Sequence, residues 1–73
     1  MDLVRTATDA GVTTLTLDSP ANRNALSTPL MRRLLDLLGE AVTDPAVRVV
    51  VISHTGPVFC SGVDLKETAE ARE

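Results

Sequence analysis

The chain has no tryptophan or tyrosine, and among its 73 residues there is one phenylalanine, one cysteine and one histidine. Each scarcity removes a class of protein. Cys60 alone forms no internal disulfide, and His54 has no second imidazole to help it build a zinc site, so both staples common in small folds are missing. Basic residues are also few. Seven Lys and Arg against ten Asp and Glu give a formal charge of −3, and Phe59 is the only aromatic, which excludes a general nucleic-acid binder with a basic face and stacking platforms. No apolar run is long enough for a membrane span or a secretory signal, and a lone cysteine suits a reducing compartment. These absences predict a cytoplasmic protein that binds neither membrane nor nucleic acid.

What the chain does contain forms interiors. Hydrophobic residues make up 44% and charged residues 23%, the balance of a globular core. A chain this short buries a smaller share of its surface than a full-sized domain does. Residues 1–73 therefore read as one unit whose core is incomplete, to be finished by self-association, by a complementary chain or by further sequence.

From Leu3 to Leu17 the pattern predicts a hairpin around Asp9-Ala10-Gly11, with Thr13, Leu15 and Leu17 alternating against Thr14 and Thr16. The stretch "DSPANRNALSTP" reads as a loop. A helix follows, with Thr28 as the predicted cap and Pro29 in the first helical position. Leu30, Leu34, Leu37 and Ala41, beside Met31, Leu35, Leu38 and Val42, give it a broad apolar face, and Arg32, Arg33, Asp36, Glu40 and Thr43 lie opposite. Asp44-Pro45 ends it. "VRVVVIS" has β-branched residues without alternation, which predicts a strand buried on both faces and parallel to the second hairpin strand. The fold class is α/β, a ββαβ unit with the start of a second helix.

After that strand, Gly56-Pro57 reverses the chain, Val58 and Phe59 anchor it, and Cys60-Ser61-Gly62 keeps side-chain bulk low. Asp64 and Glu67 have capping-box spacing, which predicts a helix start with Val63 at its edge. Unpartnered amides at such a start attract negative charge and can form half of an oxyanion hole. Most small-residue helix entries are ordinary turns, so local spacing leaves both readings open.

"SPANRNALS", a helix, and then "DPAVRVVVISHTGPVFCSGVDLKE" together resemble the N-terminal part of the enoyl-CoA hydratase/isomerase family, the crotonase superfamily. The resemblance covers nearly the whole chain and implies the first part of a crotonase-like ββα spiral. It implies lyase or isomerase chemistry on acyl-CoA or enoyl-CoA thioesters, of the kind used in fatty acid metabolism, with an oxyanion hole stabilising a thioester enolate. No cofactor is implied beyond the coenzyme A of the substrate. By the same resemblance the backbone amide of Val63 is the first oxyanion donor, and Ala25, Ser61, Asp64 and Leu65 line the acyl-CoA and adenine site. Arg23 sits in the loop that approaches coenzyme A, where its guanidinium could meet a phosphate. Lys66 is a weaker candidate of that kind.

Family members supply a second oxyanion amide from a later Gly-rich segment, and hydratases supply glutamates for proton transfer. These 73 residues hold neither, which predicts that the chain alone is inactive. The alternatives are a non-catalytic truncated paralogue that associates with a full-length crotonase-fold partner, or a gene remnant. A homo-oligomer or a complementary chain is the expected partner.

Other residues have plainer readings. Cys60 lacks a base and reads as a small core residue. His54 ends a strand and has no metal-ligand partner at suitable spacing. Asn24 is expected to bond loop backbone rather than substrate. Arg32, Arg33 and Arg48 read as solvated surface.

Overall fold

The computed structural model describes residues 2–64. Two strands, β1 (Val4–Asp9) and β2 (Val12–Leu17), are followed by a 3-10 turn at Pro20–Asn22, the helix α1 (Thr28–Thr43) and the strand β3 (Val49–His54). The sheet order is β1-β2-β3. β1 and β2 pair antiparallel, from Val4 opposite Leu17 to Asp9 opposite Val12. β2 and β3 pair parallel, from Val12 beside Val49 to Leu17 beside His54, so α1 is the crossover that parallel pairing requires.

The hairpin closes through Ala10 and Gly11, with φ of 50° and 82°. Two successive left-handed residues give the two-residue turn whose twist matches that of the strands. Gly11 has a second task. Its carbonyl accepts from the Arg48 and Val49 amides at 2.7 and 3.2 Å, tying the hairpin tip to the entrance of β3.

Alternation along the strands decides which face is buried. Val4, Thr13, Leu15 and Leu17 are buried on the face covered by α1, which contributes Leu30, Leu37 and Ala41. Val4, Leu15, Leu17, Leu30 and Leu37 form the core, with Leu26, Val50 and Cys60 packed at its margin. Each fully buried aliphatic side chain is worth about 1.5–3 kcal/mol. The one polar intrusion from β2, Thr13, shares a 2.7 Å hydrogen bond with the Thr8 hydroxyl across the hairpin.

Two expectations need correction. Ser27, not Thr28, caps α1: it has extended backbone at φ −76° and ψ 160°, and its hydroxyl accepts from the Leu30 amide. Thr28 is then the first helical residue. β3 is not covered on both faces within these residues, since Val49 is 52% and Val51 42% exposed. α1 lies over β1 and β2 instead, so the β-branched run has the composition of a doubly covered strand without its cover. The outer side of α1 is also open, with Met31, Leu35 and Val42 exposed. Among the described residues no helix is long and apolar enough to cross a membrane.

Candidate functional site

The site lies where the loop between β2 and α1 meets the segment that follows β3. Pro20 starts the 3-10 turn, and Arg23 and Asn24 follow with left-handed φ of 52° and 53°. Such a bend suits asparagine best among non-glycine residues. Asn24 is fully buried, in line with the structural role expected of it. Its Oδ1 accepts from the Ser19 amide at 2.7 Å, and its Nδ2 donates to the carbonyls of Thr55 (3.1 Å) and Val58 (2.9 Å). Gly56, at φ 74°, lets the same two loops approach, because a Cβ there would come within 2.9 Å of the Pro20 side chain.

Backbone bonds complete the junction. Ser61 N–H donates to the Arg23 carbonyl at 3.1 Å, Leu26 N–H donates to the Gly62 carbonyl at 2.7 Å, and Asp64 N–H reaches the Leu26 carbonyl at 3.4 Å. Leu26 and Val63 thus form a single parallel bridge. Leu26 takes the Gly62 carbonyl and the Asp64 amide, so alternation turns the Val63 amide away from Leu26. Among the described residues that amide has no hydrogen-bond partner, and Val63 is 56% exposed. Gly62, at φ 98°, allows this course.

A groove of about 720 Å³ opens between the two segments, lined by Ala21 to Arg23, Ala25 and Ser61 to Asp64. It brings together five of the residues singled out from sequence: Arg23, Ala25, Ser61, Val63 and Asp64. Leu65, Lys66 and the Glu67 of the suggested capping box lie outside the described residues. Sequence reading missed Ala21 and Asn22, and the signal for them was Pro20, a residue that favours the start of a short helical turn. Asn22 Nδ2 donates to the Asp64 carboxylate at 3.1 Å, linking the two lips of the groove. The exposed Arg23 guanidinium has no ion-pair partner among the described residues.

Beneath the groove, the Thr55 hydroxyl donates to one Asp18 oxygen at 2.8 Å and Arg5 Nε donates to the other at 2.6 Å. The Thr55 bond first, and Arg5 second, hold the Asp18 carboxyl below its ordinary range. Cys60 is half-buried against the core and its Sγ accepts from the Gly62 amide at 3.4 Å, which agrees with a packing role. His54 meets Phe59 edge-on, with ring centroids 5.4 Å apart. No group of three His, Cys, Asp or Glu among the described residues is arranged to hold a metal ion.

A groove lined by two loop segments, with an amide at its edge that has no partner among the described residues and a cation on its lip, is a site class suited to an anionic or carbonyl-bearing ligand. The chain belongs to the enoyl-CoA hydratase/isomerase family, whose model matches residues 7–73. It is 41% identical over 71 residues to enoyl-CoA hydratase domain-containing protein 3, mitochondrial, of Mus musculus, covering 96% of this chain and 23% of that protein. The 2,3-dehydroadipyl-CoA hydratase of Escherichia coli is 45% identical over 56 residues, covering 77% of this chain and 22% of the relative. A solved enoyl-CoA hydratase from Mycobacterium tuberculosis superimposes with a TM-score of 0.89 at 46% identity, over 93% of this chain and 31% of that one. The chain thus spans about a fifth to a third of the proteins it matches, and the partial crotonase-like fold is the one expected.

The expected cytoplasmic location is overturned. Relatives from mouse, Xenopus laevis and Danio rerio are mitochondrial by name. A lone cysteine and the lack of a long apolar run suit a mitochondrial interior as well as the cytosol, since both are reducing.

Proposed function

We propose that these residues form the thioester-binding portion of an acyl-CoA enzyme of the hydratase/isomerase type, with the Val63 amide as one donor to the thioester oxygen. The observation that carries this reading is the Leu26–Val63 bridge, which occupies the neighbouring backbone groups and leaves the N–H of the exposed Val63, at the groove, without a hydrogen-bond partner among the described residues. A backbone donor of this kind stabilises charge that grows on oxygen as the enolate forms, and it does so without changing its own protonation.

Ala25 and Ser61 wall the acyl-CoA site, Asp64 borders it, and Arg23 offers a fixed positive charge to a coenzyme A phosphate. Coenzyme A enters with the substrate, and the chemistry assigned to Val63 needs no separate cofactor. Proton transfer to and from water and the α-carbon, and the second oxyanion donor, belong to residues outside this portion.

The test is a titration of a complete enzyme, made by joining this chain in ¹⁵N-labelled form to the remainder of the mycobacterial hydratase it superimposes on, with crotonyl-CoA, and separately with coenzyme A. The reading expects both ligands to shift Arg23 and Ser61, and only the thioester to shift the Val63 amide strongly. A Val63 amide that responds to neither ligand would refute it.

A further inference from the structure

We infer that Asn24 is a positioning residue for the Val63 amide, an inference that rests on the oxyanion reading of Val63. Its neighbours Arg23 and Ala25 line the groove, but Asn24 does not, and no part of its side chain is exposed to a ligand. Its carboxamide uses both N–H donors and one acceptor position, all on backbone. The two carbonyls it holds, Thr55 and Val58, belong to the segment that leads into Cys60-Ser61-Gly62-Val63. The Asn24 side chain therefore fixes the entry to that segment. Its two flanks fix the segment itself, through the Arg23 carbonyl on Ser61 and the Leu26 amide on Gly62.

Asn24 thus sits between the residues that make the backbone tethers of Val63 to the β2–α1 loop, and the Asn22–Asp64 side-chain bond is a separate link at the lips of the groove. The left-handed φ at Arg23 and Asn24 makes this geometry, because the tight bend lets residues on both sides of Asn24 bond the same neighbouring segment. Losing the Nδ2 donors would leave the part-buried Val58 carbonyl without its partner and the Thr55 carbonyl with only a 3.4 Å contact to His54 Nδ1, which favours local rearrangement of the segment they belong to. Sub-ångström placement matters for an oxyanion donor, and a displacement of about 1 Å at a reacting centre can cost on the order of 10²-fold in rate.

The experiment joins this chain to the remainder of the mycobacterial hydratase it superimposes on and compares amide hydrogen exchange in the variant carrying Asn24→Asp with that in Leu37→Ala, which cuts the core away from the site. Asn24→Asp keeps shape and acceptor but turns an oxygen toward two carbonyls. The expected result is that the Leu26 and Ser61 amides lose at least about tenfold more protection than the Leu15 and Ser53 amides of the sheet, and that the Val63 signal moves. Leu37→Ala should lower sheet and loop protection in proportion. Asn24→Gly, which keeps the left-handed bend and removes all three bonds, decides the matter if Asn24→Asp lacks sheet signals.

The unmutated complete enzyme supplies a further reading, since the Asn24 side-chain amide protons should exchange through the same opening as the Leu26 and Ser61 amides. Loop amides that follow the sheet in the Asn24 variants, or that open while the Asn24 side chain stays closed, overturn the inference. Crotonyl-CoA is then added to the same complete enzyme without substitutions. An unresponsive Val63 amide there counts against the thioester reading, whereas the exchange comparison judges the tether by itself.

Discussion

At the residue scale, Asp18 joins the sheet to the loops that carry the site. Its carboxylate is held ionised by Thr55 and Arg5, and Thr55 also offers the Asn24 side chain its carbonyl. The folded pKa lies below the unfolded value of about 3.9, so this stabilisation is present above that pH and is lost as pH falls through the folded value. Asp18→Asn should therefore flatten the acid limb of a stability-versus-pH curve while leaving the curve above pH 5 parallel to that of the parent, as measured by urea unfolding. An unchanged acid limb would remove Asp18 from the account. Asn24 shows how far single residues were legible. Its type and its loop marked it as a backbone-bonding residue, but its two donor bonds reach 31 and 34 positions along the chain, a separation that no local pattern encodes. Val63 was legible only through its surroundings, since its proposed role uses the backbone and any residue but proline carries the same amide.

At the element scale, the helix and strands follow from periodicity, and the errors fall where neighbouring residues compete for one task. Ser27 and Thr28 are both good caps, and Pro29 suits either register. The choice was made by the extended backbone of Ser27, whose hydroxyl meets the Leu30 amide at 3.3 Å. Ser27→Ala should cost about 0.5–2 kcal/mol in denaturant unfolding, and Arg32→Ala on the exposed face should stay within about 0.5 kcal/mol. Equal effects from both would place the cap elsewhere. β3 was legible as a strand and in its pairing, because a β-branched run after a helix suits a parallel neighbour. Its burial was not legible, since the run records a covering layer that residues 2–64 do not provide. The Leu26–Val63 bridge was also beyond local reading, because it pairs two single residues of separate loops.

At the scale of the whole molecule, the open surface and the short coverage of its relatives point the same way. Val12, Val49 and Val51 expose one sheet face, while Met31, Leu35 and Val42 expose the outer side of α1. Patches of this kind mark contact surfaces. The chain alone should bind a hydrophobic dye and self-associate, and Val49→Lys with Val51→Lys should reduce both in light scattering and fluorescence. A monodisperse parent chain that leaves the dye dark would contradict this view of the sheet face. The central claim concerns Val63 and is tested most directly in a complete enzyme, made by joining this chain to the remainder of the mycobacterial hydratase it superimposes on. The measurement is crotonyl-CoA turnover after an amide-to-ester replacement at Val63, which deletes the donor and keeps the side chain. Binding of crotonyl-CoA and the Leu26 amide signal serve as controls, because the ester also weakens the Gly62 carbonyl that Leu26 bonds. The account predicts a fall in kcat on the order of 10²–10³, roughly 3–4 kcal/mol of lost transition-state stabilisation, with binding retained. Normal turnover by an ester-bearing enzyme that folds and binds would contradict it.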